Sequence, residues 1–210
     1  PRGPRGPGGP GGSYDNNQEK TGVASALGGF QFRSIGQAFM YGRISDIAID
    51  PENENVWYVD VSSGGTWKTD NAGTTWRPLT DNQPFFATGC VTIDPNNSAS
   101  IWLGTGENVG GRHIGIGHGV YHSMDGGKSW KDMGLKKSEH ISKIIVHPDN
   151  SNVIWVASQG PLWSSGGERG LYKSVNGGKT WKNTLEINEW TGVTDLVLSL
   201  IHISEPTRLL

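Results

Sequence analysis

Apolar and polar positions along this chain fall into short blocks. Ile44-Ser45-Asp46-Ile47-Ala48-Ile49 breaks at Asp50-Pro51 and resumes as Val56-Trp57-Tyr58-Val59. The same succession recurs as Val91-Thr92-Ile93, Asp94-Pro95 and Ile101-Trp102-Leu103. It returns as Ile144-Ile145-Val146, His147-Pro148 and Val153-Ile154-Trp155-Val156. Short β-branched runs bounded by Pro, Asn and Asp predict strands joined by turns. Phe30-Gln31-Phe32-Arg33-Ser34-Ile35 alternates like one more strand, and no stretch holds a helical period, so the pattern predicts an all-β chain.

Each pair of predicted strands is followed by an octet. The copies are Thr69-Asp70-Asn71-Ala72-Gly73-Thr74-Thr75-Trp76, Ser123-Met124-Asp125-Gly126-Gly127-Lys128-Ser129-Trp130 and Ser174-Val175-Asn176-Gly177-Gly178-Lys179-Thr180-Trp181. The shared template is Ser/Thr-x-Asp/Asn-x-Gly-x-Ser/Thr-Trp. Asn71, Asp125 and Asn176 can accept hydrogen bonds from amides further along the turn, and Gly73, Gly127 and Gly178 tolerate a positive φ. Trp76, Trp130 and Trp181 then leave on a strand, where a large apolar face can fill the gap between sheets. A period of about 50 residues is the length of one four-stranded propeller blade.

The three octets resemble the Asp-box, or bacterial neuraminidase repeat, of sialidases, xyloglucanase-type glycoside hydrolases, photosystem assembly factors and sortilin-type receptors. Over roughly residues 28–197 the chain is most similar to bacterial sortilin-like repeat proteins often labelled glycosyl hydrolases. The resemblance implies a β-propeller and an extracytoplasmic location, periplasmic or secreted. It leaves function open, because such boxes occur in enzymes and non-enzymes alike.

Aligned repeats predict blades at about 43–78, 88–133 and 140–184, with a fourth beginning at Gly192. Three and a fraction blades do not close a ring, so the expected fold is an incomplete β-propeller, an open arc held by contacts between neighbouring blades. Residues 1–27 form a Gly/Pro-rich leader expected to be a disordered tether. Residues 198–210 resemble a translated sequencing-library adapter, so this tail is expected to be non-native and the natural protein to continue past Val197, supplying the missing blades.

Thirty-two glycines and 18% charged residues suit a turn-rich β protein. A net charge of -2 offers no basic footprint for nucleic acid, and no apolar run is long enough to span a bilayer. Cys90, the only cysteine, allows no intrachain disulfide and is expected to be a packed thiol. No cofactor or metal is expected. Glu107, His113 and His118 share a Gly-rich loop, but no ligand spacing marks a metal site.

Antiparallel strand order puts the Pro-containing turns and the octets on one face and the dissimilar loops on the other. The long loops run from Gly106 to Gly119 and from Ser158 to Gly170, with connectors near Thr80–Thr88 and Leu185–Thr191. Binding residues favour such variable loops on a rigid frame. The repeat places Trp57, Trp102 and Trp155 on second strands, Trp67 with Tyr121 and Tyr172 on third strands, and three tryptophans after the octets. Trp163 and Trp190 are left over, on the variable face, as candidates to stack on a sugar or hold a peptide side chain. Glu107, Arg112, His113, Glu168 and Arg169 complete the candidate ligand set, with Arg112 and Arg169 suited to a carboxylate.

A glycosidase needs two carboxyl groups flanking one bond. Candidates near the variable face are Asp46, Asp60, Glu107, Glu139, Glu168, Glu189 and Asp195. Arg33 and Arg43 are available for a sialidase-like cluster, but their flanks do not match that family's catalytic motif. The leading expectation is a propeller that binds a peptide or glycan. Glycoside hydrolysis is the alternative, and a structural scaffold is a third reading, favoured if Trp163 and Trp190 are both buried against neighbouring blades.

Overall fold

A computed structural model describes residues 42–108 and 114–199, all within one compact unit. Three four-stranded antiparallel sheets follow one another along the chain. The first contains β1 (Ile44–Ile49), β2 (Trp57–Val61), β3 (Gly65–Thr69) and β4 (Arg77–Pro78). The second contains β5 (Thr88–Asp94), β6 (Asn97–Thr105), β7 (Val120–Ser123) and β8 (Lys131–Asp132). The third contains β9 (Ile141–His147), β10 (Asn150–Ser158), β11 (Gly170–Ser174) and β12 (Lys182–Leu185). Strands pair in chain order in every sheet, so the architecture is an incomplete β-propeller with its blades in an open arc. One 3-10 turn, Lys136–Ser138, interrupts the connector between the second and third blades.

The octets fold alike. In the second blade Ser123 Oγ donates to Asp125 Oδ1 at 2.8 Å and accepts from Gly127 N at 2.8 Å, while Asp125 Oδ1 also accepts from Ser129 N at 2.9 Å. Ser129 Oγ donates to Asp125 Oδ2 at 2.6 Å. This bond, with the others in the turn, holds the exposed Asp125 carboxyl down at about 2. Asn71 and Asn176 accept from Thr75 N and Thr180 N at 2.8 and 3.0 Å in the same way. Each octet is tied to the first hairpin of its blade, through Ala72 N to Asn55 O, Gly126 N to Ala99 O and Gly177 N to Asn152 O. Both hairpins therefore share the face opposite the variable loops.

Two apolar cores lie between blades. Tyr58, Val56 and Phe85 of the first blade side pack with Val91, Ile93, Ile101, Leu103 and Tyr121 of the second. Cys90, Trp102 and Val120 of the second pack with Ile141, Ile144, Val146, Ile154 and Val156 of the third. Trp130 and Trp181 each reach back across a seam, donating through Nε1 to Leu79 O at 3.3 Å and to Met133 O at 2.7 Å. Burying most of an aromatic ring in such a gap contributes on the order of 2 kcal/mol, more than any one of the hairpin hydrogen bonds.

Strand register corrects one part of the predicted alignment. Trp57 pairs with Ile49, as Ile101 pairs with Ile93 and Ile154 with Val146. The position of Trp102 and Trp155 is taken in the first blade by Tyr58, which pairs with Ala48. Because side chains alternate across a strand, Trp57 points to the opposite side of its sheet from Trp102 and Trp155 in theirs. Trp67, opposite Val59, does match Tyr121 and Tyr172.

Residues 186–199 carry no strand, although a fourth blade was predicted to start at Gly192. Val193 nevertheless sits where such a strand would begin. Its carbonyl accepts from Ser142 Oγ at 2.9 Å, as Thr88 O accepts from Ser45 Oγ at 2.9 Å between the first and second blades. The predicted Phe30–Ile35 strand, the leader and residues 200–210 lie outside the described residues.

Candidate functional site

The variable face of the third blade carries two tryptophans that have no counterpart in the other blades. Trp163, in the loop between β10 and β11, is 82% exposed, and Trp190, in the segment after β12, is 62% exposed. Such exposure leaves most of each ring free for a ligand. Their loops are fastened together from beneath. Gly166 N donates to Glu189 O at 2.8 Å, and the side chain of Arg169, itself buried, donates to five main-chain carbonyls. Arg169 Nε reaches Gly166 O at 2.8 Å, and Nη1 reaches Gln159 O at 2.8 Å and Trp190 O at 3.3 Å. Its Nη2 contacts Pro161 O and Ser164 O. A planar guanidinium presents its donors in a fixed fork, so one side chain sets the backbone of both loops.

This arrangement redirects the expected role of Arg169. Its donors are spent on carbonyls, and it is a brace beneath the face, with no free edge for a ligand carboxylate. Glu168 accepts from Lys137 N at 2.7 Å and is half-buried against the connector before β9.

A second polar group spans all three blades. Glu107, a candidate ligand residue from its place in a Gly-rich loop, is fully buried, paired with Arg43 and accepting from Ser63 Oγ at 2.8 Å. Its main-chain carbonyl accepts from His140 Nδ1 at 2.9 Å. His140 is buried, and that burial pushes its imidazole below the ordinary histidine range. The next residue, Asn108, accepts at its carbonyl from Gln159 Nε2 at 2.9 Å. The group joins loop to loop and leaves Glu107 no open side for a ligand. Arg112 and His113 lie outside the described residues, whereas the backbone of His118 donates to Thr105 Oγ1 at 2.7 Å.

The remaining carboxyls divide by environment. Asp46 and Asp60 stand directly opposite each other on β1 and β2. Asp46 takes Val91 N at 3.2 Å and Lys143 Nζ at 3.5 Å. Asp60 is sealed inside, accepts from Thr66 Oγ1 at 2.6 Å, and has no partner on Oδ2. Burial pushes its carboxyl well up, with the neighbouring Asp46 adding to the effect after the opposing Thr66 bond. Cross-strand geometry brings these two within about 5 Å at Cβ. Asp60 is nonetheless unable to meet a substrate without opening the seam. Glu139, Glu189 and Asp195 lie apart on the connectors and terminal segment.

The groove along the inner strands, of about 420 Å³, is lined by residues such as Ala48, Val91, Thr92, Ile145 and Val146, with Lys143 its only charge. It offers no carboxyl pair. Cys90 is buried, and burial pushes its thiol well up, as suits a packed side chain. Among the described residues no three His, Cys, Asp or Glu side chains cluster as a metal site, and no helix is long and apolar enough to cross a membrane.

Comparison with known proteins places this geometry among propellers. No family model matches the chain. It is 25% identical over 201 residues to a xyloglucanase of Acetivibrio thermocellus, a match covering 86% of this chain and 21% of that protein. It is 22% identical over 158 residues to an oligoxyloglucan-reducing end-specific xyloglucanase of Emericella nidulans, covering 68% of this chain and 18% of the other. Among solved structures, the GH74 enzyme of Niastella koreensis superposes with a TM-score of 0.51 at 25% identity, over 65% of this chain and 20% of that one. An ancestral GH74 enzyme superposes at 0.52 with 21% identity, over 69% and 18%. The chain spans about a fifth of the length of the curated relatives it matches, and is similar over that span to propellers of the glycoside hydrolase kind.

Proposed function

We propose that this chain is part of a glycan-binding β-propeller of the glycoside hydrolase kind, extracytoplasmic in location, to which these three blades contribute a sugar-stacking surface. The observation that carries the reading is the pair of exposed tryptophans, Trp163 and Trp190, on loops braced by the buried Arg169. Sugar rings present flat C–H faces that stack on indoles, and a pre-ordered backbone lowers the entropy lost on binding. The similarity to xyloglucanases favours a β-glucan over a peptide.

Catalytic carboxyls are not assigned to these blades. Glu107 and Asp46 are paired with Arg43 and Lys143, and Asp60 is sealed between sheets. In this reading, a hydrolytic pair in the whole protein draws at least one member from elsewhere. Burial of both tryptophans would favour the scaffold reading, and both are exposed, which supports the binding reading over it.

The test is affinity electrophoresis of the chain in gels containing xyloglucan or mixed-linkage glucan, beside calorimetric titration with a peptide library. Retardation by a glucan, weakened about tenfold by Trp163→Ala or Trp190→Ala with no loss of thermal stability, supports the proposal. Peptide binding lost in the same variants would move the reading to a sortilin-like receptor. No binding to either class would retire the platform.

A further inference from the structure

The connector between the second and third blades ends in a tight turn. Glu139 has φ 56° and ψ -39°, and across it His140 N donates to Ser138 O at 2.6 Å. A bond that spans two residues about a positive φ makes Glu139 the centre of a γ-turn of the rare, strained kind. Thirteen described glycines take a positive φ, as suits a residue without a Cβ. Only three other described residues do so: Ala72, Leu135 and Glu139. Leu135 rests in the left-handed helical well at ψ 40°, and Glu139 lies outside it.

The turn is held from both sides. Glu139 O accepts from Gly117 N at 2.7 Å, and Gly106 leaves room for that carbonyl where a Cβ would collide with it. Lys137 N donates to Glu168 Oε2 at 2.7 Å, and Lys137 O accepts from Glu168 N at 3.1 Å. On the other side His140 O accepts from Gln159 N at 2.9 Å. Gln159 and Glu168 are the two stems of the loop that carries Trp163, so Glu139 stands between them at its foot. Arg169 extends the link to the second tryptophan by bonding both Gln159 O and Trp190 O.

All of these bonds are made by the backbone. The Glu139 carboxyl is half-buried and makes no hydrogen bond or ion pair among the described residues. Its neighbours are engaged, Glu107 by Arg43 and Ser63 and Glu168 by Lys137 N. Strain of this kind persists only where the surroundings impose it, and it clusters at ligand sites. Glycine would serve the turn better, so what glutamate adds is its carboxylate. We infer that Glu139 is a ligand-binding residue of the tryptophan face, its carboxylate accepting hydrogen bonds from hydroxyls of a sugar stacked on Trp163 or Trp190. The inference rests on the glycan reading of that face and narrows it. An acceptor carboxylate beside the indoles suits a neutral sugar with free hydroxyls and opposes a uronate, whose own carboxylate would be brought against it.

The experiment is calorimetric titration of the full 210-residue chain with a xyloglucan oligosaccharide and with an oligogalacturonate, for the native chain, Glu139→Gln, Glu139→Gly and Trp163→Ala. The native chain should bind the neutral sugar at least about tenfold more tightly than the acidic one. Glu139→Gln keeps the shape and the strain, so it should weaken neutral binding about tenfold and leave the thermal midpoint unchanged. Glu139→Gly should lose the same affinity while its midpoint rises, because the strained φ is relieved. A side chain with a purely structural role would not move affinity and stability in opposite directions. Native-like binding by either Glu139 variant, a lowered midpoint in Glu139→Gly, or an acidic sugar bound as tightly as the neutral one would each overturn the inference. If Trp163→Ala weakens binding and the Glu139 variants do not, this inference falls and the glycan reading stands; a native chain that binds neither sugar ends both.

Discussion

Replacing Arg169 with Met removes the charge and every donor while keeping most of the volume. Five carbonyls on two loops lose their partner: Gln159, Pro161, Ser164, Gly166 and Trp190. A hydrogen bond to a charged donor contributes about 1.5–3 kcal/mol when buried, and a carbonyl left unpaired costs a similar amount unless water reaches it. Four of the five sit in the loop that carries Trp163, and at Ser164 and Gly166 the chain is open enough for water to enter, so the sum is discounted to about 3–5 kcal/mol. The loss is local in origin. Amide hydrogen exchange should therefore accelerate first at residues 159–170 and 186–193, while the β5–β8 sheet keeps its protection. In thermal unfolding a destabilisation of this size lowers the midpoint by roughly 6–20 °C for a chain of this length. Arg169→Lys should recover little, since one ammonium cannot span five acceptors. An Arg169→Met chain with native exchange in both segments and an unchanged midpoint would refute the brace.

Gly178 has φ 78°, and a Cβ there would lie 2.6 Å from the Trp102 ring and 3.0 Å from Met133. Gly178→Ala should therefore destabilise by about 2–4 kcal/mol in urea titration, whereas Gly166→Ala, with φ 78° but open space around it, should cost only about 1 kcal/mol. Burial depresses both His140 and His122 in the folded chain. The folded state thus keeps them neutral while the unfolded state takes up protons below about pH 6.5, so stability should fall as pH drops through that value. Urea midpoints measured across pH 5 to 7 that stay flat, with the carboxylate contribution confined to lower pH, would count against this.

Much of the scaffold was legible because its determinants are local. Asn71, Asp125 and Asn176 bond within four residues of themselves, so the octet declares its turn and its period declares the blade. The register of Trp57 is readable too. Trp57 follows Pro51 by six positions, whereas Trp102 and Trp155 follow Pro95 and Pro148 by seven. Arg169 and Glu107 were not legible in this way. Arg169 binds carbonyls, which every residue owns, and the Arg43 partner of Glu107 is 64 residues distant. Polar loop residues that hold a frame and those that hold a ligand share one composition, and only their partners separate them. Trp163 and Trp190 stood out for the opposite reason, because the repeat had already accounted for the others.

The backward reach of the seam tryptophans also has a meaning in time. Trp130 caps a carbonyl 51 residues earlier, and Trp181 one 48 residues earlier. On a ribosome adding about 5–20 residues per second, a newly made blade waits roughly 3–10 s before the ring that shields its flank has been synthesised. Throughout that interval the nascent sheet shows an uncovered aromatic to the cytosol or translocon. Progress of folding along this chain is thereby paced by translation, one blade in arrears.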